Sequence, residues 1–260
     1  MIKMLCLDYD NTIYDHRQQK IPESAVKALE DVRGKCWIVL ASGRFFRDKW
    51  NAPLIEQIRP DGIIHANGAL IEADGKVLEE TWMDAEIQRQ VIDFAYEKGL
   101  CLGGLYQGKW YTTNREKQIA KWGGVANLHA EDLGEARCLY GVPMHGLFMD
   151  DSVEAARLVE EHFPSLRTPL MNEKTGGADV LPRFLSKAYG VQKLAAWWGI
   201  EMEETAAVGD SLNDYEMIQT AGTGIAMGNA TDGLKTVADY VTSDIAQDGL
   251  RNAFVYLGLI

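Results

Sequence analysis

Hydrophobic and polar positions along the start of this chain follow a strand-then-helix rhythm. Ile2–Leu7 is a short apolar run ending in acids, the pattern of a parallel strand buried on both faces. Pro22 and Glu23 open a helical periodicity carried by Val26, Leu29 and Val32 and closed by Gly34. Trp37–Ala41 predicts a second buried strand, Phe45–Ile58 a helix and Asp61–Ala66 a third strand. Leu70–Glu79, turning at Asp74-Gly75, predicts a hairpin.

The middle of the chain changes character. Ala85–Lys98 is amphipathic, and Leu100–Thr113 reads as two aromatic-rich strands joined at Gln107-Gly108-Lys109. Arg137–Met149 is strand-like, Val153–His162 helical and Ser165–Met171 strand-like again, an α+β pattern instead of a βαβ series. From Ser186 the first rhythm returns. Helices are predicted at Ser186–Trp198, Leu212–Ala221, Thr231–Ala238 and Gln247–Leu257, with strands at Thr205–Val208, Thr223–Met227 and Tyr240–Thr242. The fold class expected is α/β: a doubly wound, mainly parallel, Rossmann-like core formed by 1–82 and 182–260. An α+β domain, 83–181, is inserted into it, within ordinary domain size.

Composition adds two constraints. The 260 residues are 47% hydrophobic and 25% charged, enough for a substantial core. The formal net charge of −12 argues against nucleic acid or an anionic membrane as partner. No run approaches the roughly 18 apolar residues of a membrane span. The first ten residues lack the apolar core of a secretory signal, so a cytoplasmic location is expected. Cys6, Cys36, Cys101 and Cys138 are scattered and read as buried free thiols. The histidines lack metal-ligand spacing and read as surface or packed residues.

Four segments carry candidate chemistry. Asp8 and Asp10 point the same way from the carboxyl end of the first strand, where open α/β sheets bind ligands. Their repulsion is relieved by a cation or by a raised pKa, although such a pair also reads as solvated turn acids. Ser42-Gly43-Arg44 follows the second strand and forms an anion cradle if a helix begins there, or else Ser42 is a simple cap. Lys187 stands at a helix start, the wrong sign for the dipole, which favours an anionic partner over open solvent. Gly209-Asp210-Ser211-Leu212-Asn213-Asp214 brings Asp210 and Asp214 to one helix entry, oxygen ligands suited to magnesium. A capping box of Ser211 with Asp214 also explains the latter. The glycine-rich stretch Gly222–Gly228 precedes a strand, the wrong order for a dinucleotide fingerprint, and reads as a turn.

Together these segments resemble the haloacid dehalogenase superfamily of phosphatases: Asp-x-Asp-x-Thr at Asp8–Thr12, the hydroxyl residue at Ser42, the lysine at Lys187, and Gly-Asp-x-x-Asn-Asp at Gly209–Asp214. The insert resembles the class IIB cap of the Cof-like sugar-phosphate phosphatases, as does Asn67-Gly68-Ala69. Asn11 stands where glycine is usual, and asparagine tolerates the positive φ of that turn. Ser42 replaces the commoner threonine.

The resemblance implies that Asp8 attacks phosphorus and forms an aspartyl phosphate. Asp10 would protonate the leaving oxygen, holding its proton more firmly beside a phosphate dianion than in water, and later deprotonate the attacking water. Mg2+ would be held by Asp8, the Asp10 carbonyl, Asp210 and Asp214, and phosphate by Ser42, Gly43, Lys187 and Asn213. The implied partner is a small phosphorylated metabolite, a sugar phosphate by analogy, and oligomeric state is not assigned. A phosphomutase of the same superfamily and a non-catalytic metabolite-binding regulator are the competing readings. Arg44, Arg47, Trp110, His145, Asn172 and Lys174 are candidates for substrate contact, each with an alternative role in packing or as surface.

Overall fold

The computed structural model describes residues 1–47, 51–126, 129–171, 174 and 176–260, with the backbone alone for 124–126. The chain divides into two units, Met1–Glu80 with Leu185–Ile260, and Thr81–Phe184.

The first unit starts with β1 (Met4–Leu7), α1 (Glu23–Val32), β2 (Trp37–Ala41), β3 (Gly62–His65), β4 (Leu70–Ala73) and β5 (Lys76–Glu80). The insert follows with α2 (Ala85–Lys98), β6 (Leu102–Tyr106), β7 (Lys109–Thr112), α3 (Arg115–Ala126), β8 (Leu133–Glu135), β9 (Leu147–Met149), α4 (Val153–His162), β10 (Leu166–Arg167) and β11 (Ala178–Pro182). The chain then returns through α5 (Lys187–Trp198), β12 (Thr205–Gly209), α6 (Tyr215–Thr220), β13 (Thr223–Ala226), α7 (Asp232–Lys235), β14 (Tyr240–Val241) and α8 (Gly249–Tyr256).

Among the described residues the first unit carries an eight-stranded sheet in the order β14-β13-β12-β1-β2-β3-β4-β5. It is parallel from β14 to β3, and the hairpin β4–β5 adds antiparallel strands at one edge. Every residue of β1 and β12 is buried, which is why these strands read as unbroken apolar runs. The register pairs Leu7 with both Leu40 and Val208. Asp8, Ser42 and Asp210 therefore leave the sheet at the same carboxyl edge. The insert has its own six-stranded sheet, β10-β11-β9-β6-β7-β8, and its own core of Val91, Leu102, Leu139, Met149, Val159 and Val180.

Several expectations need correction. Phe45–Ile58 is not an α-helix. Among the described residues it holds turns and one 3-10 turn, Ala52–Ile55, and Pro53, with no amide to donate, cannot join a continuous α-helix running through it. Arg137–Met149 contains a 3-10 turn, Ala136–Leu139, before the short β9, with Pro143 interrupting the run. Ser165–Met171 reduces to β10. Helix α3 and strand β11 go unanticipated; α3 is only weakly amphipathic and contains Gly123-Gly124. Cys6 and Cys101 are buried free thiols, but Cys36 is half-buried and Cys138 exposed. No helix among the described residues is long and apolar enough to cross a membrane.

One close approach positions the site. Gly68 has φ +99°, and a Cβ there would lie 2.5 Å from the carbonyl oxygen of Ser186. Ser186 caps α5 through a bond from the Tyr189 amide, so the absent side chain lets the start of α5 settle against the loop after β3. Gly75, at φ +70°, has open space around its missing Cβ. Gly75→Ala is expected to lower unfolding free energy by about 1 kcal/mol, the backbone penalty alone. Gly68→Ala adds a collision with backbone and is expected to lose at least about 2 kcal/mol more in urea denaturation. Equal losses would remove the packing role assigned to Gly68.

Candidate active site

Lys187 is the first residue of α5 and is completely buried. Its Nζ donates to Asp8 Oδ1 at 2.7 Å and to Asp214 Oδ1 at 2.6 Å. This is the anionic partnership that its position predicts, not a solvated side chain. Burial lowers the affinity of the ammonium for its proton, but the charges of Asp214 and Asp8 outweigh that and raise its pKa. Asp214 also accepts from the amides of Asp210 (3.0 Å) and Ser211 (3.1 Å) through Oδ2. The capping role and the ion-pair role thus coexist in one carboxylate. Gly209 makes room for it, since a Cβ there would lie 2.5 Å from the Asp214 carboxyl carbon.

Asp8 is 4% exposed, and its second oxygen, Oδ2, is buried with no hydrogen-bond partner. Burial pushes its carboxyl up, Lys187 pulls it back, and Asp214 and Asp10 push it up again, leaving it at about 7. Carboxylate oxygens of Asp8, Asp210 and Asp214 lie within 4.8 Å of one another. Burial, with the charges of Asp8 and Asp214, raises Asp210 well above the usual range. An unpartnered buried oxygen in a crowd of hard anionic donors fits a small divalent cation.

Asp10 turns away from that crowd. Arg44 grips it with two nitrogens, Nε to Oδ2 at 2.8 Å and Nη2 to Oδ1 at 2.7 Å, and His16 Nε2 reaches Oδ1 at 2.5 Å. Burial pushes its carboxyl up, but the hydrogen bonds from His16 and Arg44 prevail and hold it at about 2. Two donors, the Arg44 guanidinium and the His16 ring, thus face Asp10 where the sequence suggests only like charge. Asn11 sits at φ +55°, the conformation that usually selects glycine.

Ser42 is 1% exposed. Its hydroxyl accepts from the Arg44 amide (3.1 Å) and its carbonyl from the Asn67 amide (2.9 Å). No α-helix begins at Gly43 among the described residues, so the cradle there has turn amides but no helix dipole. Ala66 and Asn67 both adopt positive φ, at 46° and 52°, and Asn67 Oδ1 accepts from Asn213 Nδ2 at 3.4 Å. Ser42, Asn67 and Asn213 are thereby linked.

The remaining candidates are occupied elsewhere. Arg47 pairs with Glu72, which also meets the buried His65 at 2.6 Å. His145 lies in the inserted unit, its Nδ1 2.8 Å from the Thr81 carbonyl and its ring stacked on Trp82. Trp110 donates to Gln118, Lys174 is exposed, and Asn172 falls outside the described residues. His16, read as surface, is the contact the sequence reading missed; only its position six residues after Asp10 could have pointed to it.

A family model for haloacid dehalogenase-like hydrolases matches residues 5–254. The protein YkrA of Bacillus subtilis (strain 168) is 30% identical over 272 residues, covering 99% of this chain and 98% of its own. The 5-amino-6-(5-phospho-D-ribitylamino)uracil phosphatase YcsE of the same organism is 26% identical over 97% of this chain and 94% of its own. The solved structure of the haloacid dehalogenase subclass IIB sugar phosphatase BT4131 matches with a TM-score of 0.86 at 25% identity, over 99% of this chain and 100% of that one.

Without a cation, the buried charge on Asp210 works against folding. Its folded pKa lies above the unfolded value, so this penalty grows as pH rises past 3.8. Asp210→Asn is therefore expected to raise the melting temperature of metal-free protein at pH 8 and to shed that advantage as pH falls toward 3.8. Wild type should gain about 2.7 kcal/mol from a divalent cation at a hundred times its dissociation constant, and the variant much less. A variant stabilised equally by the cation would place it elsewhere.

Proposed function

Since this chain belongs to the haloacid dehalogenase-like hydrolases and is a phosphatase, we propose that it removes phosphate from a small metabolite, a sugar phosphate in the first instance, with Asp8 as nucleophile and magnesium as cofactor. The observation that carries this reading is the free, buried Oδ2 of Asp8 beside the Lys187 ammonium and the carboxylates of Asp210 and Asp214.

Asp8, Asp210 and the main-chain carbonyl of Asp10 would hold the cation. Asp214 would act through water, since Lys187 and two amides already occupy its oxygens. When bound, magnesium neutralises charge on the phosphate and on these carboxylates, which favours the ionised, nucleophilic Asp8. An oxygen of the Asp8 carboxylate attacks phosphorus, the bond to the leaving oxygen breaks, and an aspartyl phosphate forms. Lys187 follows the charge from carboxylate to phosphoryl group. The hydroxyl of Ser42 and the amide of Gly43 bind phosphate oxygens, and Asn213 keeps this loop in register. Asp10 donates a proton to the leaving oxygen and takes one from the water that then attacks phosphorus. An incoming phosphate dianion places negative charge beside Asp10 and competes for Arg44, and both effects favour its protonated form.

The sugar-phosphate assignment rests on the likeness to BT4131. The inserted domain is proposed to select the substrate, with His145, Asn172, Lys174 and Trp110 as candidates there and Arg44 and Arg47 in the core. Phosphate release is to be measured across sugar, polyol and nucleotide monophosphates with and without magnesium. Sugar phosphates should lead the panel, a chelator should abolish turnover, and Asp8→Asn should lower kcat by a factor of at least about 10³. Retained release by Asp8→Asn would overturn the nucleophile assignment. Turnover only with a bisphosphate activator would favour a mutase.

A further inference from the structure

A short loop after β1 is built with more care than a surface turn requires. Asp15 is fully buried and accepts from the amides of Arg17 (2.8 Å) and Gln18 (3.4 Å) and from the Gln18 side chain (3.2 Å). Arg17 reaches across to Asp244 at 2.5 Å, and Asp15 pairs with Lys20 in an antiparallel bridge. Both sides of His16 are thus anchored. The imidazole stands edge-on to Tyr14 at 5.1 Å, Tyr14 stacks on Tyr9 at 5.6 Å, and Tyr9 meets Phe46 edge-on at 5.5 Å. The Arg44 guanidinium lies 5.5 Å from the Tyr9 centroid. One aromatic ladder therefore supports both side chains that hold Asp10.

Asp10 itself is a third exposed, and its backbone forms an isolated bridge with Tyr14. Its two oxygens are treated unequally: Oδ1 accepts from Arg44 and His16, Oδ2 from Arg44 alone. Because a carboxylate only accepts, Nε2 of His16 carries the hydrogen.

We propose that His16 is a positioning residue for the phosphatase reaction, its Nε2–H donating to Oδ1 and thereby presenting Oδ2 of Asp10 to the leaving oxygen. This rests on the assignment of Asp10 as general acid. As the bond from phosphorus to the leaving oxygen breaks, its electron pair goes to that oxygen and the proton on Oδ2 follows. Asp10 ends as the carboxylate for which His16 and Arg44 are already arranged. Without His16, Oδ1 loses one of its two donors and the carboxyl is held only by Arg44, for which the phosphate competes, while proton transfer demands near-ideal alignment. The effect should scale with how much the leaving group needs a proton. A good leaving group such as p-nitrophenolate departs with little help, whereas an alkoxide does not.

The test is kcat/KM for a series of aryl and alkyl phosphates, a quantity that includes phosphoryl transfer to Asp8 but not later hydrolysis. Plotted against leaving-group pKa, the loss in His16→Ala should grow steadily, reaching about tenfold for alkyl phosphates, a fraction of what a general acid supplies. His16→Gln, whose amide can donate from the same side, should recover most of it. Asp10→Asn is measured in parallel. A steep dependence in Asp10→Asn with a uniform or absent loss in His16→Ala overturns the positioning role and leaves the acid assignment standing. No leaving-group dependence in Asp10→Asn overturns the acid assignment itself.

Discussion

A single buried cation constrains this structure more than any other group. Lys187 has no exposure to water, and moving an ammonium out of water carries a penalty of several kcal/mol unless anions meet it. It is met by two, at 2.7 and 2.6 Å, from the end of β1 and from the turn between β12 and α6. Those carboxylates lie close together because the strands pair in register, Leu7 with Val208. The cation reaches them because Gly68 lets the Ser186 carbonyl approach, which seats the start of α5. The ion pair, the sheet register and the glycine are one requirement expressed in three places.

The same constraint divides labour between two neighbouring acids. Asp8 is buried in a cluster of like charge and is pushed up toward neutrality, while Asp10, two residues on, is drawn outward and down by Arg44 and His16. Opposed environments of this kind separate the roles of paired carboxyls in many active sites. In the proposed mechanism the buried one offers its unpartnered oxygen for bond formation, and the outer one, held by Arg44 and His16, serves proton transfer. Tyr9, alternating with them along the strand, faces the core at 1% exposure and carries the aromatic ladder behind the outer acid.

Much of this was legible in the sequence, and the reasons are specific. Strands β1, β2 and β12 are unbroken apolar runs because nearly every residue in them is buried, whichever face it points to, and the acids and hydroxyl that follow them mark the carboxyl edge. The lysine at a helix start and the acid spacing at 210 and 214 were informative because each is unfavourable or redundant without a partner. Where local cues conflicted, reading failed: Pro53 inside an apolar stretch broke the helix expected at Phe45–Ile58, and short strands beside prolines in the insert blurred into loops. The His16 contact was invisible because it depends on a loop folded by a buried aspartate, and on an arginine 28 residues further along in a different turn. Tertiary meetings of that kind leave no periodicity to read.

Everything chemical in this account requires the phosphoryl group to pass through Asp8. Mixing enzyme with a radiolabelled sugar phosphate, quenching in acid within one turnover and mapping the labelled peptide tests that directly. The account expects acid-stable, hydroxylamine-labile label on the peptide that contains Asp8. Label on another residue, or turnover with no covalent label at any quench time, would contradict it.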